Sequence, residues 1–289
     1  MPDTTINHII NQNLNLLQSR GIETSRFEIK VLIAHILKTE PKYLIGSQQL
    51  NKQQIAELDK LIAQRLKHCP VDKIVGHKGF YKYDFIVNTD VLSPRSDTEI
   101  MVEHAIEILN KLNQPKILEL GIGSGCIILS ILADLPAVSG IGIDISEKAL
   151  AIADINAEKL NIDEKRLVLL KAGWFDKDIM KKLMEYAPFD MILSNPPYIP
   201  DEEITLLDEE VKNYDPLIAL NGGKDGLRDY LKINELAYNL LKSDGYLLLE
   251  AGDSSQLRKI SLMAQSVGLN FVNILKDLTG KDRCIILKK

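Results

Sequence analysis

The sequence predicts an α/β fold, a mostly parallel β-sheet flanked by helices and preceded by a small helical bundle. Three observations carry this. From Lys116 onward, short apolar runs alternate with longer segments of helical periodicity, the pattern of β-α units that build a parallel sheet. Residues 1 to about 70 carry helical stripes only. Two strand-ending signals, a Gly-x-Gly-x-Gly turn at 121–125 and Asn-Pro-Pro-Tyr at 195–198, fall where such a sheet presents its ligand-binding edge.

With 289 residues and 45% hydrophobic composition, the chain can bury about two ordinary cores. In the first, Ile6, Ile9, Ile10, Leu14 and Leu17 recur at helical spacing, as do Phe27, Val31, Ile33, Ala34 and Leu37, and Ile55, Leu58, Leu61, Ile62 and Leu66. Gly21, Pro41, Gly46 and Pro70 punctuate them. Between Gly76 and Asn88 the pattern turns to alternation, with Phe80, Tyr81, Tyr83, Phe85 and Val87, which predicts a β-hairpin. The expected division is a helical domain over 1–72, which either helps grip a substrate or is an appendage for folding and stability, a hairpin linker over 73–92 and an α/β domain over 93–289. At 93–99, Ser96 or Asp97 is expected to cap the helix that begins near Ile100.

Seven strands are expected in the α/β domain, at 116–120, 140–144, 166–171, 189–194, 245–250, 271–276 and 283–287, the last two as a closing hairpin. Helices are expected from 126, over 145–160, 225–241 and 254–267.

Composition excludes several classes. The amino-terminal stretch 1–13 has no basic-then-apolar signal pattern, and the apolar run 126–133 is too short to span a bilayer, so a soluble, cytoplasmic protein is expected. Cys69, Cys126 and Cys284 are far apart with no Cys-x-x-Cys pair, which argues against disulfides and a zinc site; no metal is expected. Net charge is −5, distributed unevenly. Residues 1–80 carry 11 Lys and Arg against 7 Asp and Glu, and the remainder 24 against 33.

The chemistry concentrates at strand ends. Glycines at 121, 123 and 125 let the backbone approach a ligand just before a helix amino terminus, and position 126, where a dinucleotide fingerprint has its third Gly, is Cys. Asp144, closing the second strand 23 positions after Gly121, can accept hydrogen bonds from both hydroxyls of a ribose. A helix cap is the alternative, and Ser146 can supply that instead. Trp174, the only tryptophan, sits at the end of the third strand, as an adenine contact or as core.

Two consecutive prolines cannot continue a ladder, so the chain leaves its fourth strand at Asn195 in a stiff loop. The Asn195 side-chain oxygen and the Pro196 carbonyl are two fixed acceptors for the N–H hydrogens of a planar amide or exocyclic amine, and the Tyr198 ring can stack on it. This suits alkylation of a nitrogen whose lone pair is delocalised.

These residues resemble the methyltransferases that use S-adenosylmethionine on a Rossmann-like seven-stranded sheet. More closely, the chain resembles the HemK/PrmC family of release-factor glutamine N5-methyltransferases. The likeness runs through Pro70-Val-Asp-Lys-Ile-Val-Gly76, Pro94-Arg95-Ser-Asp97-Thr98-Glu99, Glu119 to Gly125, Asn195 to Ile199, 215–227, Gly245 to Glu250 and 277–283. The resemblance implies that Gly121, Ile122, Gly123, Ser124, Gly125 and Asp144 bind S-adenosylmethionine with Trp174 beside the adenine. It implies that Asn195 borders the cofactor and, with Pro196, Pro197 and Tyr198, holds the substrate amide. The implied substrate is the glutamine of the Gly-Gly-Gln loop in peptide-chain release factors, with the protein acting as a monomer and without stable nucleic-acid binding. Departures are Ser96 where the family usually has Pro, Gly173 before the tryptophan, and Asp215-Pro216 in place of Glu-Pro.

Two other readings stand beside this. Asn-Pro-Pro-Tyr also suits adenine N6, but a nucleic-acid enzyme must flip a base and usually carries a basic surface, against the acidic balance after residue 80. A cofactor-binding regulatory protein with a vestigial site would not need an intact tetrapeptide.

Overall fold

The computed structural model describes residues 4–289; the first three positions of the stretch 1–13 discussed above lie outside the described residues. The chain packs as two units. One takes the chain to His77 and adds Asp208–Tyr214; the other holds Lys78–Leu207 and Asp215–Lys289.

The first unit is built on helices α1 (Ile6–Ser19), α2 (Arg26–Leu37), α3 (Lys52–Arg65) and α4 (Val71–Val75). Ser25 with Glu28, and Asn51 with Gln54, form reciprocal capping boxes at the starts of α2 and α3. Ile10, Leu17, Ile29, Ile33, Leu58 and Ile62 meet in its core. Phe27, expected in the apolar stripe, is 63% exposed; Ile29, Leu32 and Ile33 face inward in its place. The boundary expected at 72/73 falls inside α4, which starts after Pro70 and stops at Gly76 in a left-handed conformation.

Arg65 is 1% exposed in this unit. Its Nη2 donates to the Glu23 carbonyl at 2.8 Å and to the Glu210 carboxylate, while Nε and Nη1 have no partner. Glu210 lies on a short helix (Glu209–Tyr214), whose Tyr214 hydroxyl donates to the Lys67 carbonyl at 2.8 Å.

A two-stranded sheet follows, β1 (His77–Phe80) and β2 (Tyr83–Ile86), which belongs to the second unit from Lys78 onward. Its main sheet has the order β5-β4-β3-β6-β7-β9-β8, with β3 (Lys116–Leu120), β4 (Ser139–Asp144), β5 (Leu167–Lys171), β6 (Phe189–Ser194), β7 (Leu241–Glu250), β8 (Asn270–Lys276) and β9 (Asp282–Lys288). All neighbours are parallel except the pairs that β9 makes with β7 and β8. This is the seven-stranded, mostly parallel sheet that the sequence predicts. Leu118, Ile143, Ile192 and Leu249 point to one apolar layer, and Ile117, Met191, Leu193 and Leu248 to the other. Burial on both faces is what makes these strands continuous apolar runs.

Two elements differ from expectation. β7 begins at Leu241 rather than 245. The helix expected from Asp225 begins at Tyr230, because residues 221–229 are taken up in contacts with the loop after β6. No helix of the described residues is long and apolar enough to cross a membrane.

Candidate active site

Sheet register brings four strand ends into a row. Leu120 pairs with Ile143 and with Ser194, and Ser194 pairs with Leu249. One step past those pairs stand Asp144, Gly121, Asn195 and Glu250, at the carboxyl edge where parallel sheets bind ligands. The Ser194 hydroxyl donates to the Leu120 carbonyl at 2.6 Å and closes the seam between β3 and β6.

The Gly-rich turn needs its glycines. Gly121, Gly123 and Gly125 have φ of +78°, +55° and +82°, conformations that side chains rarely adopt. A Cβ at Gly121 would come 3.3 Å from the Trp174 ring, and one at Gly125 would come 2.7 Å from Leu129. Helix α6 (Cys126–Asp134) follows at once, and the buried Glu119 carboxylate accepts from the Ile128 N–H at 2.9 Å, tying that helix to β3. Burial holds the Glu119 carboxyl well above the usual range.

Asp144 does not cap the next helix. Its Oδ2 accepts from Gly123 N–H and its Oδ1 from Ser146 N–H, both at 2.9 Å, while the Ser146 hydroxyl caps the helix. The carboxylate is thereby oriented, and each oxygen retains capacity to accept from a ribose hydroxyl. Burial raises its pKa, opposed by these N–H donors.

Asn195 and Tyr198 are partly exposed, and Pro196 and Pro197 are buried. Around the cofactor-side residues, Gly121, Gly123, Asp144 and Trp174 are partly exposed, whereas the side chains of Ile122 and Ser124 are buried at 2% and 3%. Ile122 tucks its side chain over Gly142, where a Cβ would meet it at 2.3 Å. Only the backbone of Ile122 is left for a ligand.

The Asn195 loop is clamped from behind by 215–227. Ile199 N–H donates to the Leu220 carbonyl and Gly222 N–H to the Ile199 carbonyl. A Cβ at Gly226 would fall 2.1 Å from the Tyr198 carbonyl oxygen, which also accepts from Gln256 Nε2 at 2.8 Å. The clamp is anchored by Asp215, whose carboxylate takes the Arg95 guanidinium at 2.8 Å and the Ser93 N–H.

Residues 8–76 match the model of the PrmC N-terminal domain, and 111–277 that of a methyltransferase domain. The release factor glutamine methyltransferase of Rhodospirillum rubrum is 36% identical over 275 residues, covering 94% of this chain and 82% of that one. That of Caulobacter vibrioides is 37% identical over 276 residues, covering 93% and 91%. The chain belongs to the release factor glutamine methyltransferase family. Longer relatives exist: the chain spans 57% of the bifunctional methyltransferase of Rickettsia conorii. The catalytic domain of hMettl16, solved with a MAT2A 3'UTR hairpin, is 14% identical with a TM-score of 0.53, covering 70% of this chain and 74% of that one, a likeness of fold alone.

Against this release factor glutamine methyltransferase framework, the structure adds residues to which the sequence attached no function. Ser96 and Asp97 make no side-chain cap. Asp97 pairs with Arg283 at 3.1 Å, and the Thr98 hydroxyl receives Asn195 Nδ2 at 3.4 Å. The Trp174 indole N–H donates to Asp229, 1% exposed, at 3.0 Å. Only the places of Thr98 and Glu250 inside the motifs at 94–99 and 245–250 hinted at a role, since neither position is chemically unusual on its own.

Proposed function

We propose that this protein methylates the side-chain amide nitrogen of the glutamine in the Gly-Gly-Gln loop of peptide-chain release factors, with S-adenosylmethionine as donor. The observation that carries the reading is the adjacency of Gly121 and Asn195, one residue past the paired ends Leu120 and Ser194. A donor bound along β3 and β4 is thus one strand away from an acceptor held on β6.

The residues suit the cofactor. The glycine turn gives close backbone approach, Asp144 offers a pre-oriented carboxylate to a ribose, and Trp174 presents a half-buried ring beside Gly121. When bound, the cofactor supplies an electrophilic methyl group on sulfur.

The remaining work belongs to this chain. Asn195 Oδ1 and the Pro196 carbonyl accept the two N–H hydrogens of the substrate amide, which fixes its plane and turns its π face to the donor side. The proline pair holds both acceptors rigid, so orientation is established before the substrate arrives. Tyr198 packs on the flat group; burial pushes its phenol well above the usual range, so it remains a neutral ring. No strong base is required, because the nitrogen becomes strongly acidic as its bond to carbon forms and releases a proton to water.

Intact mass of unmethylated release factor, incubated with this protein and S-adenosylmethionine, tests the reading. A single-methyl gain on wild-type factor and none on a Gln→Ala variant of the Gly-Gly-Gln loop is expected. No gain on either would overturn the glutamine assignment and redirect the search to adenine N6.

A further inference from the structure

Beside Asn195 the fold buries a carboxyl group for which that mechanism has no use. Glu250 ends β7, is 2% exposed, and its Oε2 is buried with no hydrogen-bond partner. An ionisable group in such a place is costly unless something requires it.

A structural ion pair does not account for it. The charged and titratable groups facing Glu250 are Asp97 from the turn before α5 (Glu99–Leu109), Arg283 and Cys284 from β9, Tyr198 from the Asn195 loop, Tyr230 from the helix Tyr230–Leu240, and Cys126 from α6. Arg283 is the one cation in this set, and its guanidinium is committed elsewhere. Nη2 goes to Asp97 at 3.1 Å, Nε to Asp277 at 3.2 Å and Nη1 to the Gly252 carbonyl at 2.8 Å. The Tyr230 hydroxyl donates to the backbone carbonyl of Glu250, not to its carboxyl.

What the carboxyl does border is the Thr98–Asn195 contact: Asn195 and Glu250 stand one step past the pair Ser194 and Leu249, and hydrogen bonding from both Thr98 and Asn195 pulls on the carboxyl. A hydroxyl has one hydrogen and two lone pairs. With its oxygen receiving Asn195 Nδ2, Thr98 must send its own hydrogen to an acceptor, and the adjacent carboxylate is one.

We propose that Glu250 is a positioning residue: through the Thr98 hydroxyl it holds the Asn195 carboxamide with nitrogen inward and oxygen toward the methyl acceptor. The proposal rests on the reading of Asn195 given above. An ionised Glu250 accepts the Thr98 hydrogen and leaves Thr98 as acceptor for the Asn195 N–H. A protonated Glu250 becomes a donor, and the carboxamide is then equally satisfied when flipped, with its nitrogen facing the substrate and its acceptor lost. Burial lifts Glu250 to about 7 against the pull of Thr98, Arg283 and Asn195, so the choice falls in the neutral range.

The test uses the full chain with unmethylated release factor. For wild type, kcat is expected to rise about tenfold per pH unit below neutrality and then level off. Glu250→Gln should lose that limb and fall at least about tenfold in kcat at pH 8, with KM changed by no more than about twofold. Glu250→Asp should keep the limb, and Thr98→Val, which removes the relay, should abolish it. Infrared difference spectra provide a readout apart from turnover: a protonated-carboxyl band that disappears as pH rises through neutrality in wild type and is missing in Glu250→Gln. A Glu250→Gln protein with wild-type kcat at pH 8, a limb retained in that variant, or no titrating band would overturn the proposal. A wild type that methylates no release factor overturns the function reading instead, and the infrared titration then still decides whether Glu250 titrates where stated.

Discussion

The carboxamide nitrogen of Asn195 stands 3.4 Å from the hydroxyl oxygen of Thr98, across 97 positions of sequence. The contact commits one end of the amide to the protein and leaves the other for a ligand. An aliphatic replacement at either position loses that commitment, with different consequences.

Asn195→Ala removes an acceptor that matters only when the substrate nitrogen is being held for reaction. Turnover should fall by about a hundredfold or more, while the dissociation constant for S-adenosylhomocysteine, measured by calorimetry, should change little. Unchanged turnover would remove Asn195 from the mechanism.

Gly226 has φ of +72° and no room for a Cβ, the Tyr198 carbonyl oxygen lying 2.1 Å from its ideal position. Gly226→Ala should push the Asn195 loop outward and cost about 2–4 kcal/mol in urea unfolding. Gly76→Ala is the control. It shares a positive φ of +80° but meets nothing within 4 Å, and should cost about 1 kcal/mol.

The only tryptophan of the chain lies against the glycine turn, which makes it a reporter. Titration with S-adenosylhomocysteine should change Trp174 fluorescence in a saturable way. Asp229→Asn weakens the acceptor for the indole N–H, and should reduce cofactor affinity by about three- to tenfold. A fluorescence signal indifferent to the cofactor would place Trp174 in the core only.

Much of this site could be read from the chain because its chemistry is local. Glycines at alternate positions, an acidic strand end and two prolines after a strand each restrict the backbone within a few residues, and the repeating β-α pattern then sets their order. Thr98, Asp229, Gln256 and Glu250 were not legible in this way. Thr98 and Asp229 also flank helix starts, so local structure is sufficient to account for them, and their partners, Asn195 and Trp174, lie in loops after other strands. The helix expected over 225–241 starts at Tyr230 instead, because 225–229 is held by the backbone contacts that Gly222 and Gly226 permit, which leave no periodic signal. The association of 208–214 with the first unit left no trace in periodicity.

Glu250 also makes a thermodynamic prediction. A carboxyl whose pKa rises to about 7 on folding binds its proton more tightly in the native state than in the unfolded chain. Stability therefore falls as pH rises from the ordinary carboxyl range to neutrality, and none of this cost is present below it. Glu250→Gln should exceed wild type in stability at pH 8 by roughly 3 kcal/mol in chemical denaturation, and match it at pH 4. An active-site variant more stable than its parent marks strain kept for function.

Arg65 offers the complementary case. Its one carboxylate partner, Glu210, is 32% exposed while Arg65 is 1% exposed. Glu210→Ala should lose about 1–3 kcal/mol by leaving a buried guanidinium with a single carbonyl. The double variant Arg65→Met with Glu210→Ala should recover most of that in chemical denaturation, since an apolar side chain needs no partner.

The seam closed by Ser194 and Leu120 has a wider meaning. The residues proposed for the donor cluster at the ends of β3, β4 and β5, with Asp229 behind Trp174, and those proposed for the acceptor at the ends of β6 and β7, with Thr98 from the turn before α5. The two halves are separable in chemistry, one presenting an electrophile and the other a nucleophile, and Asn195 is the residue on which both place a demand.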